Sequence, residues 1–200
     1  MSVYDYPMME TERLLLRAPR NADATDVFAF CSDPASCQYA DWYPHSDKGE
    51  TRAYIAWLKK QARSRRETGY TWFVECKACR KVIATISVVA WDSSGSIATV
   101  GYTLSREYQH RGYATEMLEA VLRYLFLERS VARVDAKVIP ENVPSIRLLE
   151  RVGMRQEALL RSGAYCKTAC VDVYLYALLR EEFLKTKAAR GEDRFVRIGI

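Results

Sequence analysis

The chain has only two histidines, nine glycines and six prolines in 200 residues, and nothing in it is a low-complexity tract or an internal repeat. Repeat and fibrous architectures are therefore excluded. Its longest apolar stretches are broken well short of a bilayer span, so a transmembrane helix is excluded. Charge of one sign is lacking too. Thirty Lys and Arg against twenty-five Asp and Glu leave +5, and the basic residues mostly alternate with acids. That pattern argues against nucleic acid as a partner, while the mild positive excess suits a small anionic ligand. The opening "MSVYDYPMMETERLLLR" carries acids and no apolar run, unlike a secretory signal. The expectation is a cytoplasmic protein, monomer or homodimer, with no membrane partner.

What is present is ordinary globular material, 49% hydrophobic and 28% charged, enough for one domain with a full core. Cysteine is the exception. Cys76 and Cys79 form "CKAC", and Cys166 and Cys170 form "CKTAC"; Cys31 and Cys37 complete the six. A structural zinc needs four converging ligands, and no histidine accompanies either pair. The reading adopted is reduced thiols on hairpin turns and no metal. A zinc-stabilised interaction protein is the rival that these pairs suggest.

Along the chain, "RLLLRAP" (13–19) predicts a strand ended by Pro19. "NADATDVFAFCSDP" predicts a helix capped by Asn21 or Asp23, with Val27, Phe28 and Phe30 on its apolar side. After a loop, "CQYADWYPHSDKG", a second helix covers "ETRAYIAWLKKQARSRRETG", with Tyr54, Ile55 and Leu58 on one side and a basic solvated face. "YTWFVEC" and "KVIATISVVAW" then predict a hairpin around the first cysteine pair, and "SIATVGYTL" (96–104) another strand. Met117, Leu118, Val121, Leu122, Leu125 and Phe126 recur at helical period. "ARVDAKVI" (132–139) is a strand, and "PENVPSIRLLERVGM" a turn and short helix stopped at Gly153. "EALLR" and "VDVYLYALL" predict a closing hairpin around a "RSGAYCKTAC" turn. "REEFLKTKAARGEDRF" predicts a charged helical tail at the periphery. The sum is an α/β single domain with one mixed sheet. The helix between 96–104 and 132–139 makes those strands parallel, and a ligand belongs beyond their carboxyl ends, where the helix starts.

That helix start reads "SREYQHRGYATEML" (105–118). Gly112 and Ala114 remove bulk from the turn, so unpaired amides and the positive helix end can meet a phosphate, with Arg111 adding charge. Neither the nucleoside-triphosphate nor the dinucleotide glycine motif is present. A glycine needed for turn geometry alone is the bland alternative.

Gln109, Gly112 and Ala114 form Q-x-x-G-x-A, which resembles the pyrophosphate loop (Q/R)-x-x-G-x-(G/A) of the GNAT N-acetyltransferases. "PENVPSIRLLERVGM" is similar to the second signature of that family. "RGYATEML", "ENVPS" and "DVYLYALLREE" look most like its RimJ/RimL-type branch. The likeness spans residues 10–182, taken as the N-acetyltransferase domain, with 183–200 a charged C-terminal tail. It implies a mostly antiparallel mixed sheet, splayed at a central parallel pair and flanked by helices, with acetyl-CoA in the wedge. By the same resemblance, backbone near Leu104 pairs with pantetheine. Gln109, His110, Arg111, Gly112, Tyr113, Ala114 and Thr115 cradle the pyrophosphate. Asn142 binds the pantetheine arm, and Ser145 sits at the thioester sulfur.

Acetyl transfer to an amine needs a neutral nucleophile, a polarised carbonyl and a proton for the departing thiolate. The family's acid is matched by Ser145, which is equally placed to cap a helix; the alternative acid position carries Leu149. Neither family base carries over, since those positions hold Lys137 and Ala164. Glu107, Asp41 and His45 are substitutes of unassigned place. Asp41, Trp42, Tyr43 and Tyr165 are the expected acceptor wall, where aromatic packing of the loop is the plain alternative. The expected activity is transfer from acetyl-CoA to a primary amine, peptide or small molecule; the alternative is a non-catalytic acetyl-CoA-binding or interaction module of the same fold.

Overall fold

Alternating apolar residues in short β-rich runs and helical repeats between them produce one mixed sheet with helices on both faces. The computed structural model describes residues 6–63, 69–190 and 197–199. Its strands are β1 (Met8–Glu10), β2 (Leu14–Arg17), β3 (Thr71–Cys76), β4 (Lys81–Trp91), β5 (Ile97–Leu104), β6 (Arg133–Val138), β7 (Arg155–Cys166), β8 (Ala169–Leu179) and β9 (Arg197–Gly199). Among the described residues they lie in the order β7-β8-β6-β5-β4-β3-β2-β1-β9. Among these described strands only β5–β6 is parallel, as the intervening helix requires.

Helices α1 (Ala24–Cys31) and α2 (Lys48–Arg63) cover one face through Val27, Phe30, Ile55 and Leu58 against Phe73 and Val82. The expected continuation of α2 through 64–68 lies outside the described residues. The other face carries α3 (Tyr113–Arg123), α4 (Val143–Arg151) and α5 (Arg180–Arg190). All six periodic residues of the third helix, Met117 to Phe126, are buried. The last of them sit in a π-helical turn, Tyr124–Glu128, that continues α3. α4 ends on Gly153 at φ +93°, a conformation that stops a helix without steric cost in glycine.

Three expectations change. The chain before Pro19 is a hairpin, β1 and β2, with Met9 opposite Leu16, rather than one strand. "RSGAY" continues β7 rather than forming the turn. The register shifts between Leu160 and Ala164, with Ser162 at φ +50°, and this absorbs the extra residues so that the strand runs on to Cys166. Tyr165 therefore lies on a strand near a tight hairpin tip. Lastly, the charged helix that runs on from 183 is anchored to the core at its start. Phe183 is buried with its ring 5.0 Å from that of Phe126, and β9 pairs with β1; residues 191–196 and 200 lie outside the described residues.

Candidate functional site

The parallel pair is joined over four residues, from Ile97 opposite Arg133 to Val100 opposite Ala136. Beyond that, β5 stays with β4 as far as Leu104 opposite Ala84, and β6 stays with β8 as far as Val138 opposite Tyr174. Their mutual pairing stops at Val100 and Ala136 while both strands run on, so a gap opens at their carboxyl ends. Its walls carry free main-chain edges.

The turn after β5 lies at the mouth of that gap. The Leu104 carbonyl accepts a bond from Gln109 Nε2 at 3.4 Å, tying the turn back to the strand end. His110 at φ +61° and Gly112 at φ +80° then bend the chain through two left-handed residues into α3. Such a bend turns successive amides inward, and the amides of Tyr113, Ala114 and Thr115 have no carbonyl one turn earlier to meet. Arg111 is exposed, its guanidinium 5.8 Å from the Tyr108 ring centre. The Arg151 guanidinium reaches the Thr115 hydroxyl at 3.5 Å.

Arg13 and Glu116, which sequence reasoning missed, fix this turn. The Glu116 carboxylate accepts from Arg13 Nε at 2.6 Å, from the Arg13 amide at 2.9 Å and from the Thr11 hydroxyl at 2.5 Å. Arg13 Nη1 donates to the Arg111 carbonyl at 2.9 Å, and its guanidinium lies 4.5 Å from the Tyr113 ring centre. The β1–β2 hairpin thus clamps the first turn of α3 and answers the one acid there, leaving the helix start net positive. No local pattern links residues about a hundred positions apart.

Across the gap, Asn142 is the N-cap of α4: its Oδ1 accepts the Ser145 amide at 3.2 Å. The capping role considered for Ser145 therefore belongs to Asn142. The Ser145 hydroxyl instead meets the Tyr102 hydroxyl at 2.7 Å. Leu149 is fully buried in the core. Of the two family base positions, Lys137 donates to the Gly163 carbonyl at 3.1 Å and Ala164 pairs with Val171.

The loop from 32 to 47 closes one side of the site. Cys166 Sγ donates to the Ala40 carbonyl at 3.2 Å, Lys167 Nζ to the Gln38 carbonyl at 3.1 Å, and the Tyr39 hydroxyl to the Glu141 carbonyl at 3.1 Å. These bonds bring the loop to the β7–β8 tip and to the residue before Asn142. Asp41 is exposed, as are Tyr43 and Tyr165, at 59% and 64%. Trp42 is half-buried; its shielded indole N–H meets no oxygen or nitrogen acceptor among the described residues, and the Cys37 thiol is the polar group beside it.

His45 is neither a surface residue nor a free base. It is buried, with Nδ1 2.9 Å from the Thr51 hydroxyl and its ring against Tyr54. Burial lowers its pKa below the ordinary 6.5, with Glu50 opposing. The unfolded chain then binds a proton that the folded one refuses, so stability falls as pH drops below about 6.5. Urea midpoints measured through that range should decline for the wild type and flatten for His45→Gln.

Glu107 is exposed on the α1 side of the strand end, on the wall of a cleft of about 560 Å³ that also includes Asp26 and Asp33. Both aspartates have partners: Asp26 accepts the Val82 amide, and Asp33 caps its own turn through Ala35 and Ser36. The two cysteine pairs sit on different hairpins, and all six thiols are free. Among the described residues, no three His, Cys, Asp or Glu side chains converge as a metal would need. Nor is any described helix long and apolar enough to cross a membrane.

Residues 13–155 match the family described as the acetyltransferase (GNAT) domain. An uncharacterized N-acetyltransferase, p20, of Bacillus licheniformis is 32% identical over 86% of this chain and 96% of its own. An acetyltransferase of the GNAT family from Bacillus anthracis superposes with a TM-score of 0.76 at 26% identity, covering 88% of this chain and 99% of that one. RimL, a ribosomal L7/L12 alpha-N-protein acetyltransferase solved in complex with coenzyme A, shares the fold at a TM-score of 0.75 and 19% identity, over 88% of this chain and 99% of its own. A parted parallel pair, an amide-lined helix start at its mouth and this family match lead to one conclusion: the chain belongs to the GNAT family, as an acyltransferase that uses acetyl-CoA.

Proposed function

We propose that the chain moves acetyl directly from acetyl-CoA to a primary amine, a protein N-terminal α-amine or a small-molecule amine, at the gap between β5 and β6. The observation that carries this is the parting of the parallel pair after Val100 and Ala136, with a positive helix start on one side and a hydroxyl pair on the other. Acetyl-CoA supplies the activated acyl group. The β5 edge toward Leu104 pairs with the pantetheine amides as an added strand. Residues 109–115 hold the pyrophosphate through main-chain amides, with Arg111 beside them. Asn142, whose Oδ1 is occupied by the Ser145 amide, offers its NH2 to the pantetheine arm. Ser145 faces the sulfur and protonates it as the amine displaces CoA.

No carboxylate stands where the family keeps its base, since Lys137 and Ala164 occupy those positions, so the amine loses its proton through water. Asp41, Tyr43 and Tyr165 on the open rim receive the cation and its neighbouring groups, while half-buried Trp42 holds the loop in place.

Isotope-labelled acetyl-CoA incubated with a fractionated extract tests this reading: mass spectrometry should find label on peptide N-termini or on a small amine. Ser145→Ala should lower the rate of label transfer by about 100-fold, the lower end of the range of general acid catalysis. Acetyl-CoA affinity should stay within about twofold, because a proton donated at the transition state adds little to ground-state binding. Equal transfer by the variant would leave Ser145 without a chemical role.

A further inference from the structure

We infer that Tyr102 is a positioning residue for this reaction, donating its hydroxyl hydrogen to Ser145 Oγ and thereby directing the serine hydrogen into the gap. The inference rests on the reading that Ser145 meets the CoA sulfur.

Tyr102 lies two residues past Val100, where β5 has already left β6. Side chains alternate along a strand, so Tyr102 shares the face of Ala98 and Val100, both in the core with α3. At position 102 that face borders the opening instead of a neighbouring strand. The ring is half-buried and packs on the core edge, while its hydroxyl reaches 2.7 Å to Ser145 on the first turn of α4.

Which oxygen donates follows from what surrounds the pair. Burial pushes the Tyr102 phenol up to about 12, with the bond to Ser145 acting the other way. The phenol is therefore protonated throughout the working range, and it is a better hydrogen-bond donor than an aliphatic alcohol. Ser145 cannot swing away freely, because its amide is held by Asn142. With the serine oxygen accepting from Tyr102, its own hydrogen is left for a third atom. During transfer the C–S bond breaks and sulfur keeps the electron pair. Sulfur then takes the Ser145 proton, and the acetylated nitrogen releases one proton through water that restores the serine. The serine oxygen is transiently electron-rich in that step, and the Tyr102 hydrogen bond stabilises it most there.

CoA itself is the probe, so no acceptor need be known. The thiol of protein-bound CoA is titrated by the ultraviolet absorbance of its thiolate in four proteins: wild type, Tyr102→Phe, Ser145→Ala and the double variant. Phenylalanine keeps the ring packing, and a thermal melt within a few degrees of wild type checks the fold. Removing a donor disfavours the thiolate, so Tyr102→Phe should raise the bound-thiol midpoint by roughly half to one pH unit, and Ser145→Ala by at least as much. The double variant should match Ser145→Ala alone, since Tyr102 acts only through the serine. An unmoved midpoint in Tyr102→Phe, with a moved one in Ser145→Ala, overturns the inference and spares the reading beneath it. Additive shifts overturn it too, by giving Tyr102 its own contact with sulfur. If Ser145→Ala leaves the midpoint of bound CoA unchanged, the serine does not meet the sulfur and both fall.

Discussion

Gly112→Glu should reduce acetyl-CoA affinity by at least about 100-fold, close to 3 kcal/mol of binding energy. Three costs coincide at this position. The backbone sits at φ +80°, where a side chain adds strain of roughly 1–2 kcal/mol. A Cβ there would stand 3.3 Å from Arg13 Nη2, in the guanidinium that already bonds the Arg111 carbonyl and Glu116. The new carboxylate would also place negative charge in the turn proposed to hold the pyrophosphate and would recruit Arg13 or Arg111 for itself. Gly112→Ala separates the effects: it carries the strain and the contact but no charge, and should lose affinity only several-fold. Calorimetric titration with acetyl-CoA, alongside circular dichroism to confirm folding, measures both. Undiminished binding by the glutamate variant would remove the amide cradle from the account of this enzyme.

Arg17→Met should destabilise the fold by about 3–5 kcal/mol, the usual cost of stripping one partner from a buried ion pair. Arg17 is 5% exposed at the end of β2. It grips Asp23 with two bonds of 2.9 and 2.8 Å and Glu75 with one of 2.7 Å, while Asp23 also takes the Arg20 amide at 2.7 Å. Methionine fills similar space, so what is lost is the counter-charge: Asp23 stays buried and unanswered at the entry to α1. A fall in melting temperature of roughly 6–20 °C follows for a chain this long. The double variant Arg17→Met, Asp23→Leu should recover part of the loss, since it removes the stranded charge as well. A single variant that melts with the wild type would show that this network does not hold α1 to the sheet.

Much of the layout was legible because it rests on local rules. The spacing of Met117 to Phe126 declared a buried helix, the strand–helix–strand order declared the parallel pair, and Gly153 declared a helix end. The turn proposed to hold the cofactor stands out for the same reason, with its glycine and cations adjacent in sequence. What escaped was tertiary. Tyr102 looked like any strand aromatic, because nothing in "SIATVGYTL" tells that β6 departs after Val100. Arg13 and Glu116 find each other only once β2 lies beside α3. From sequence Ser145 divides between two roles because a serine after Pro144 suits a cap, and only the folded chain shows Asn142 in that role. His45 has no place assignable from sequence because a polar loop conceals the pocket formed by Thr51 and Tyr54.

The pairing of β9 with β1 has a consequence for how this molecule meets copies of itself. An uncovered outer strand presents a row of main-chain donors and acceptors, a template on which another chain can add. Here β1 is paired on both sides, Met9 and Glu10 with Leu16 and Leu15 inward, and Met8, Met9 and Glu10 with Gly199, Ile198 and Arg197 outward. At the opposite border, β7 is interrupted by two register shifts, and its exposed face includes Arg155, Gln156 and Glu157. A broken, charged rail is a poor template, and β9, the outer strand at the other end among the described residues, offers only three residues, so both ends of this sheet resist the runaway stacking to which flat sheets are prone.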